Sequence, residues 1–290
     1  MRESKGDKAF NITINFLVVV LIVLLVYPLY FVMIASFSNP DLTNEGKVWI
    51  VPKEFNFDGY KALFEDSRLW VGYRNTIIYT ISGTLINLFC TLPAAYALSR
   101  KKFLGKRLIY NFMLFTMFFS GGLIPTYLLI KQLGFLDSIW ALILPNAVSI
   151  WNLIIAKTYF RENIPEELAD AAFIDGCSHF KFFLCIVLPL SSVIIIAVTL
   201  FYAVSHWNGF FNALIYISSQ EKIPLQLFLR DILIQQQNVS VSPEVADTLR
   251  YTANLVQYAM IVVSSAPIII LYVFLQKYFV KGIMIGSVKG

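Results

Sequence analysis

Charge is scarce in this chain. Of 290 residues only 14% are Asp, Glu, Lys or Arg, where a soluble globule carries about 25%. Hydrophobic residues make up 58%. That balance excludes an ordinary cytosolic globule and a disordered chain, both of which need a charged surface. Cysteine is also rare: Cys90, Cys177 and Cys185 are odd in number, and their spacing suits neither a disulfide framework nor a metal site. The two histidines, His179 and His206, fall on opposite sides of the expected membrane, so no Ser–His pair meets at depth, and no catalytic residue or metal ligand set emerges. No G-x-x-x-x-G-K-[ST] phosphate loop is present, so the chain does not hydrolyse nucleotide by that route. The interiors of the later apolar runs lack Asp, Glu, Lys, Arg and His. Proton relays and voltage sensors need such groups. Carbonyls and hydroxyls can hold sodium, which leaves an ion-coupled secondary transporter open as an alternative.

What is present is long apolar runs. A bilayer-spanning helix needs about 20 mostly apolar residues, and six segments qualify, at about 10–36, 76–98, 108–130, 139–156, 182–205 and 252–275. They predict an all-α fold: a polytopic membrane helix bundle of six transmembrane helices forming a single domain over 1–290. The first run is too long for a signal peptide and has no small-residue cleavage site, so it reads as a retained span. Cations cluster at Arg2, Lys5 and Lys8, at Arg100, Lys101, Lys102, Lys106 and Arg107, at Lys157, Arg161 and Lys181, and at Lys277, Lys281 and Lys289. These all border one side, and the positive-inside rule places it, with both termini, in the cytoplasm. The net charge of +5 therefore reflects membrane topology, with no nucleic acid partner implied. On the other side, the amphipathic stretch Tyr60–Leu69 and the helical spacing after Pro224 either dock a partner or cap the bundle.

Each of the last five spans carries one proline, Pro93, Pro125, Pro145, Pro189 or Pro267. A proline removes a backbone hydrogen bond and predicts a kink. Asn87, Thr91, Asn146, Asn152 and Thr199 accompany them. Such residues either bond helix to helix or line a passage for a neutral, hydroxyl-rich solute. Trp207, Asn208 and Asn212, near the outer end of the fifth span, offer an aromatic face and amides to such a solute. Trp207 equally fits an interfacial aromatic belt.

The stretch 157–181 predicts a short helix. Asn163 is placed to cap it, Pro165 suits its first turn, Glu166 and Glu167 favour the positive end of its dipole, and Gly176 ends it. Leu168, Ala171, Ala172 and Asp175 fall roughly on one side. Paired alanines allow a close backbone approach by another protein, with Glu167 and Asp170 as anchors on basic groups. A solvated connector has the same composition.

Asp170-Ala171-Ala172, then Asp175-Gly176, then Ile186-Val187-Leu188-Pro189 resembles the EAA loop of ABC importer permeases, roughly E-A-A-x-x-x-G followed by I-x-L-P. The departure is Asp for Glu at position 170, which keeps the charge and shortens its reach. Similarity extends over nearly the whole chain, through Pro145-Asn146, His206-Trp207-Asn208, Phe210-Phe211-Asn212 and the tail Gln276–Gly286. It looks like the smaller, maltose-type (MalG-like) carbohydrate permease, in the Gram-positive complex-oligosaccharide branch. The resemblance implies a type I ABC importer permease (MetI-like) fold in the bacterial cytoplasmic membrane, importing a sugar or oligosaccharide by alternating access. It implies a transport subunit and no enzyme, with no cofactor bound by this chain and ATP and Mg held in partner ATPase subunits. The implied partners are a second homologous permease subunit in a heterodimer, two cytoplasmic ATPase subunits and an extracellular solute-binding lipoprotein. The ATPase-coupling residues would be Glu167, Asp170, Ala171, Ala172, Asp175, Gly176, Leu188 and Pro189. Substrate-pathway residues would be Asn87, Asn146, Asn152, Trp207, Asn208 and Asn212. A non-carbohydrate ABC permease is the nearest alternative; an anion would want a basic pathway, which the spans lack.

Overall fold

A computed structural model describes residues 5–235, 254–274 and 276, and the described residues are helical and contain no strand. Most of the tail motif 276–286 lies outside the described residues. Three helices are long and apolar enough to cross a membrane singly, and up to six spans result if three bent helix pairs each count as one.

The described residues form two compact units, one drawn from Met1–Leu69 and Leu229–Ala266, the other from Trp70–Phe228 and Pro267–Gly290. In the first, α1 (Lys5–Ala35) is apolar on every face and exposed along nearly its whole length, as lipid solvation allows. Helix α2 (Pro40–Asn44) starts where the Asn39 side chain accepts from the Asp41 N–H at 2.9 Å, with proline in its first turn. Helix α3 is Asp58–Glu65. Phe37 stacks on Phe55 at 5.4 Å and on Tyr60 at 5.0 Å. A Cβ at Gly59 would lie 2.5 Å from the Leu255 carbonyl oxygen, so only glycine permits that approach. The amphipathic stretch expected over Tyr60–Leu69 is divided: α3 ends at Glu65, and Leu63 and Leu69 carry the buried face from either side of the break.

The second unit is organised around α4 (Ser67–Ser99), which passes through Pro93 without a break. The third apolar run is two helices, α5 (Lys106–Phe118) and α6 (Leu123–Gln132), meeting at 113°. The turn falls at the glycines before Pro125, with Gly122 at a positive φ of 89°. In the fourth run, α7 (Ile139–Ile143) tightens into a 3₁₀ turn at Leu144–Asn146 and resumes, bent by 49°, as α8 (Ile150–Asn163). Pro145 sits in that turn. Next come α9 (Glu166–Ile174) and α10 (His179–Phe182). A π turn over Phe183–Val187 follows, then α11 (Leu188–Leu190) and, bent by 84°, α12 (Ser192–Trp207). The wider turn ends just before Leu188-Pro189, and the proline has no N–H to donate back to a carbonyl one helical turn earlier. Beyond lies α13 (Phe211–Tyr216); α14 (Leu225–Gln235) and α15 (Asn254–Phe274) give the larger part of their length to the first unit. The main core joins Tyr96 and Ala95 of α4, Phe160 and Leu153 of α8, Phe182, and Val198 of α12.

Candidate functional site

Two places in the second unit concentrate the residues singled out by sequence. The first is α9. Asn163 does not cap it: that residue ends α8, and its amide donates to the Tyr159 carbonyl at 3.0 Å. The prolyl residue explains the change, because the residue before proline is pushed out of helical geometry. Ile164 is extended and Pro165 takes the N-cap position. At the other end Gly176 adopts φ +77° with open space around it. Its N–H donates to the Phe173 carbonyl at 3.1 Å and that of Cys177 to the Ala172 carbonyl at 2.9 Å. This paired pattern satisfies the last carbonyls and needs a left-handed residue.

Helix α9 turns Ala169 and Phe173 inward and leaves Glu167, Leu168, Asp170 and Ala171 exposed; Ala172 is half-buried. Ile174 is 86% exposed. Basic residues from the segment after α4 hold the helix in place. Lys102 reaches Asp170 at 3.2 Å and Lys101 reaches Glu166 at 3.4 Å. The Arg100 guanidinium donates to the Phe160 carbonyl at 3.0 Å and the Ile164 carbonyl at 3.3 Å, and lies over the Tyr96 ring. Asp170 therefore finds a cation within its own chain despite its shorter reach. Leu188 and Pro189 belong to α11: Leu188 is half-buried against the core and Pro189 is exposed.

The second place is a cavity of about 600 Å³ opening where α7 and α8 break. Thr76, Tyr79, Asn146, Ser149, Asn152 and Asn212 supply hydroxyls and amides to it, and the ring of Trp151 adds an aromatic face. Its lining contains His206 and no Asp, Glu, Lys or Arg among the described residues. The break frees backbone groups that cannot stay unpaired away from water. Asn87 of α4 donates to the carbonyls of Asn146 at 2.8 Å and Ala147 at 2.9 Å. The Tyr202 hydroxyl accepts from the Ser149 N–H at 2.9 Å and bonds Thr91 Oγ1 at 2.7 Å. Two carbonyl acceptors fix the Asn87 amide nitrogen, so Asn87 Oδ1 faces His206 Nε2 at 2.6 Å and that nitrogen carries a hydrogen. A Cβ at Gly83 would stand 2.5 Å from the same Nε2, so glycine one turn before Asn87 makes room for the ring.

Of the residues expected on a pathway, Asn146, Asn152 and Asn212 line this cavity. Asn87 is fully buried one layer behind it. Trp207 is buried elsewhere, edge-on to Tyr73 at 6.3 Å, and exposed Asn208 ends α12; neither reaches the lining. His206, read from sequence as lying beyond the fifth span, is instead inside α12 and bonded to the middle of α4. Sequence reading missed Trp151, Ser149 and Tyr202, since an isolated Ser, Tyr or Trp in an apolar run has no spacing signal. It also missed Asp137. That carboxylate accepts from Lys222 Nζ at 2.7 Å and from the Ser218 and Ser219 N–H groups at 3.0 and 2.9 Å. The Lys222 ammonium, with the Ser219 hydroxyl and these N–H groups, holds it well below the usual carboxylate range. It ties the turn before α7 to the segment after α13.

Helices long and apolar enough to cross a membrane, with broken spans around a cavity that carries amides and hydroxyls, are the architecture of a transport subunit. Residues 69–285 match a known family, and the chain belongs to it: the binding-protein-dependent transport system inner membrane component. Protein LplC of Bacillus subtilis is 38% identical over 100% of this chain and 98% of its own length. The polygalacturonan/rhamnogalacturonan transport system permease protein YtcP of the same organism is 37% identical, over 98% of this chain and 99% of its own. Among solved structures, a chain of a bacterial ABC transporter involved in the import of the acidic polysaccharide alginate superposes with a TM-score of 0.86 at 32% identity, covering 96% of this chain and 99% of that one. The expected class, an ABC importer permease of the oligosaccharide-permease kind, is met. Such permeases are not enzymes, and their ATPase resides in other subunits.

Proposed function

We propose that this permease passes an oligosaccharide across the bacterial cytoplasmic membrane by alternating access, with the 600 Å³ cavity as part of its path. The observation that carries this reading is the lining: amides and hydroxyls set among aromatic and aliphatic side chains, with His206 as its one ionisable side chain apart from the tyrosines. Such a surface exchanges hydrogen bonds with sugar hydroxyls, and Trp151 offers a face for a pyranose ring. Relatives named for arabinooligosaccharides and for polygalacturonan or rhamnogalacturonan support the substrate class.

Helix α9 would be the coupling element, with both termini and the basic loops in the cytoplasm. Its exposed ridge of Glu167, Leu168, Ala171, Ile174 and Asp175 would seat in a cleft of an ATPase subunit. Ala172 and Gly176 would set how closely the two backbones approach, and Leu188 and Pro189 would pass the movement to α12. A second permease subunit, two ATPases holding ATP and Mg, and an extracellular solute-binding lipoprotein complete the assembly. ATP-driven closure of the ATPase pair and docking of the loaded binding protein favour different states of the permease. Transport follows from that difference.

A paired measurement tests the reading, using the assembled transporter in proteoliposomes with its binding protein. Asn152→Ala should weaken oligosaccharide uptake while ATPase stimulation by the loaded binding protein persists. Ala172→Trp should abolish both, and Ala171→Trp, at the exposed neighbouring position, should do the same without the loss of stability that a large ring at half-buried Ala172 brings. If Ala172→Trp retains stimulated ATPase, α9 is not the coupling helix. If Asn152→Ala leaves uptake intact, the cavity is not the path.

A further inference from the structure

A second pocket, of about 510 Å³, lies where the end of α4, the start of α5 and the end of α8 converge. Arg100, Lys101, Lys106, Arg107, Lys157 and Arg161 line it against two carboxylates, Glu166 and Glu167. Lys101 is paired with Glu166, Arg161 with its neighbour Glu162, and Arg100 with backbone carbonyls. Among the described residues no carboxylate pairs with Lys106, Arg107 or Lys157. Lys106 donates to the Arg100 carbonyl at 3.1 Å, and Lys157 Nζ sits 3.3 Å from the centre of the Tyr110 ring. Moreover, α5 begins at Gly105 without a side-chain cap and with Lys106 and Arg107 in its first turn. Cations at the positive end of a helix dipole are unfavourable, and an anion there relieves both the dipole and the crowding.

An apolar strip continues from the pocket. Leu104 is 91% exposed, Leu108, Phe112 and Phe115 continue on one side of α5, a helix with no fully buried residue, and Phe119 just past its end stacks on Phe115 at 4.4 Å. The topology rule that places cations beside spans does not require them to converge on one cavity, nor to be followed by exposed rings. We infer that this pocket binds the phosphate of an anionic membrane phospholipid, with its acyl chains along the α5 strip. A free phosphate would use the cations and leave the strip unused. A sugar acid would use the cations and at most the nearest ring, leaving the strip's run along the span unused.

The assembled transporter, delipidated in detergent, is titrated with phosphatidylglycerol or phosphatidylcholine of matched chains, and bound lipid is counted by native mass spectrometry. The wild type should retain phosphatidylglycerol at least about tenfold better, as three cations without a carboxylate partner near a headgroup predict. K106Q/R107Q/K157Q should lose most of that preference, and K157Q alone should lose part of it if the triple variant fails to assemble. Equal retention of the two lipids by the wild type, or an unchanged preference in the variants, overturns the proposal. Displacement of phosphatidylglycerol by millimolar inorganic phosphate would assign the pocket to a free anion, and displacement by galacturonate oligomers to the transport path. Either result also overturns it.

Discussion

Helix α9 and the cavity at the α7–α8 break are stabilised in opposite ways. The polar contacts of α9 face outward: Lys102–Asp170 lies in solvent and Lys101–Glu166 is partly exposed, and ion pairs of that kind contribute about 0–1 kcal/mol each, while Ala169 and Phe173 pack on the core. The helix is defined mainly by its ends, an extended Ile164 before Pro165 and a left-handed Gly176. The cavity wall is built from Asn87, Tyr202 and Thr91, whose polar atoms are buried and paired with a broken backbone. Removing one such partner costs about 1–3 kcal/mol for each group left unsatisfied. A surface that must engage and release another protein tolerates weak local contacts. The buried side of a break inside a membrane helix does not, because Asn87 and Thr91 sit behind the cavity lining, where protein partners stand in place of water.

That contrast is tested first at Asn87. Asn87→Leu leaves two carbonyls and the His206 Nε2–H without partners, so it should destabilise the permease by about 2–4 kcal/mol. The check is thermal unfolding of the purified protein, with Asn87→Asp expected to recover the His206 contact and not the carbonyl contacts. A loss no larger than that of an exposed substitution would show that water enters the break and that the two regions are alike. Next in size is Gly176→Ala, which forces a side chain into a left-handed backbone at a cost of about 1 kcal/mol. Open space surrounds Gly176, so packing adds nothing. ATPase stimulation by the binding protein should fall by more than the small loss of stability explains.

Legibility in sequence follows the same division. The α9 turn is written in consecutive residues, Pro165 through Gly176, because helix ends depend on local backbone chemistry. Even there Asn163 misled, since α8 runs on through it and the chain turns only where Ile164 meets proline. The six apolar runs are also legible, because a span is a property of composition. The bends are not: prolines mark each run, yet α4 passes Pro93 unbroken while glycines turn the chain between α5 and α6. The cavity was readable only as scattered asparagines. Which of them face solvent depends on partners far along the chain, as with Asn87 and His206. Trp207 and Trp151 show the limit most plainly, since composition cannot tell a buried ring from one lining a cavity.

Asp137 stands between the two regions, a half-exposed ion pair reinforced by two backbone N–H donors. Its carboxyl is held below the ordinary value of about 3.9. The stability it contributes is therefore complete above that pH and fades as the pH falls toward the lowered value. Asp137→Asn should lower the melting temperature modestly at neutral pH, with Lys222 partly solvated and the pair screened. The gap between wild type and variant should stay constant from neutral to mildly acidic pH and narrow once the medium is more acidic than about pH 4. A gap that widens in acid would mean the charge opposes folding. Smallest of all is Lys102→Gln, which removes the partner of Asp170. Both groups are largely in solvent, so the loss should stay within about 0.5 kcal/mol. Since salt screens such pairs, even that difference should vanish at molar ionic strength. A larger, salt-resistant effect would mean that Lys102 and Asp170 are shielded from water, and would bring α9 into line with the buried cavity wall.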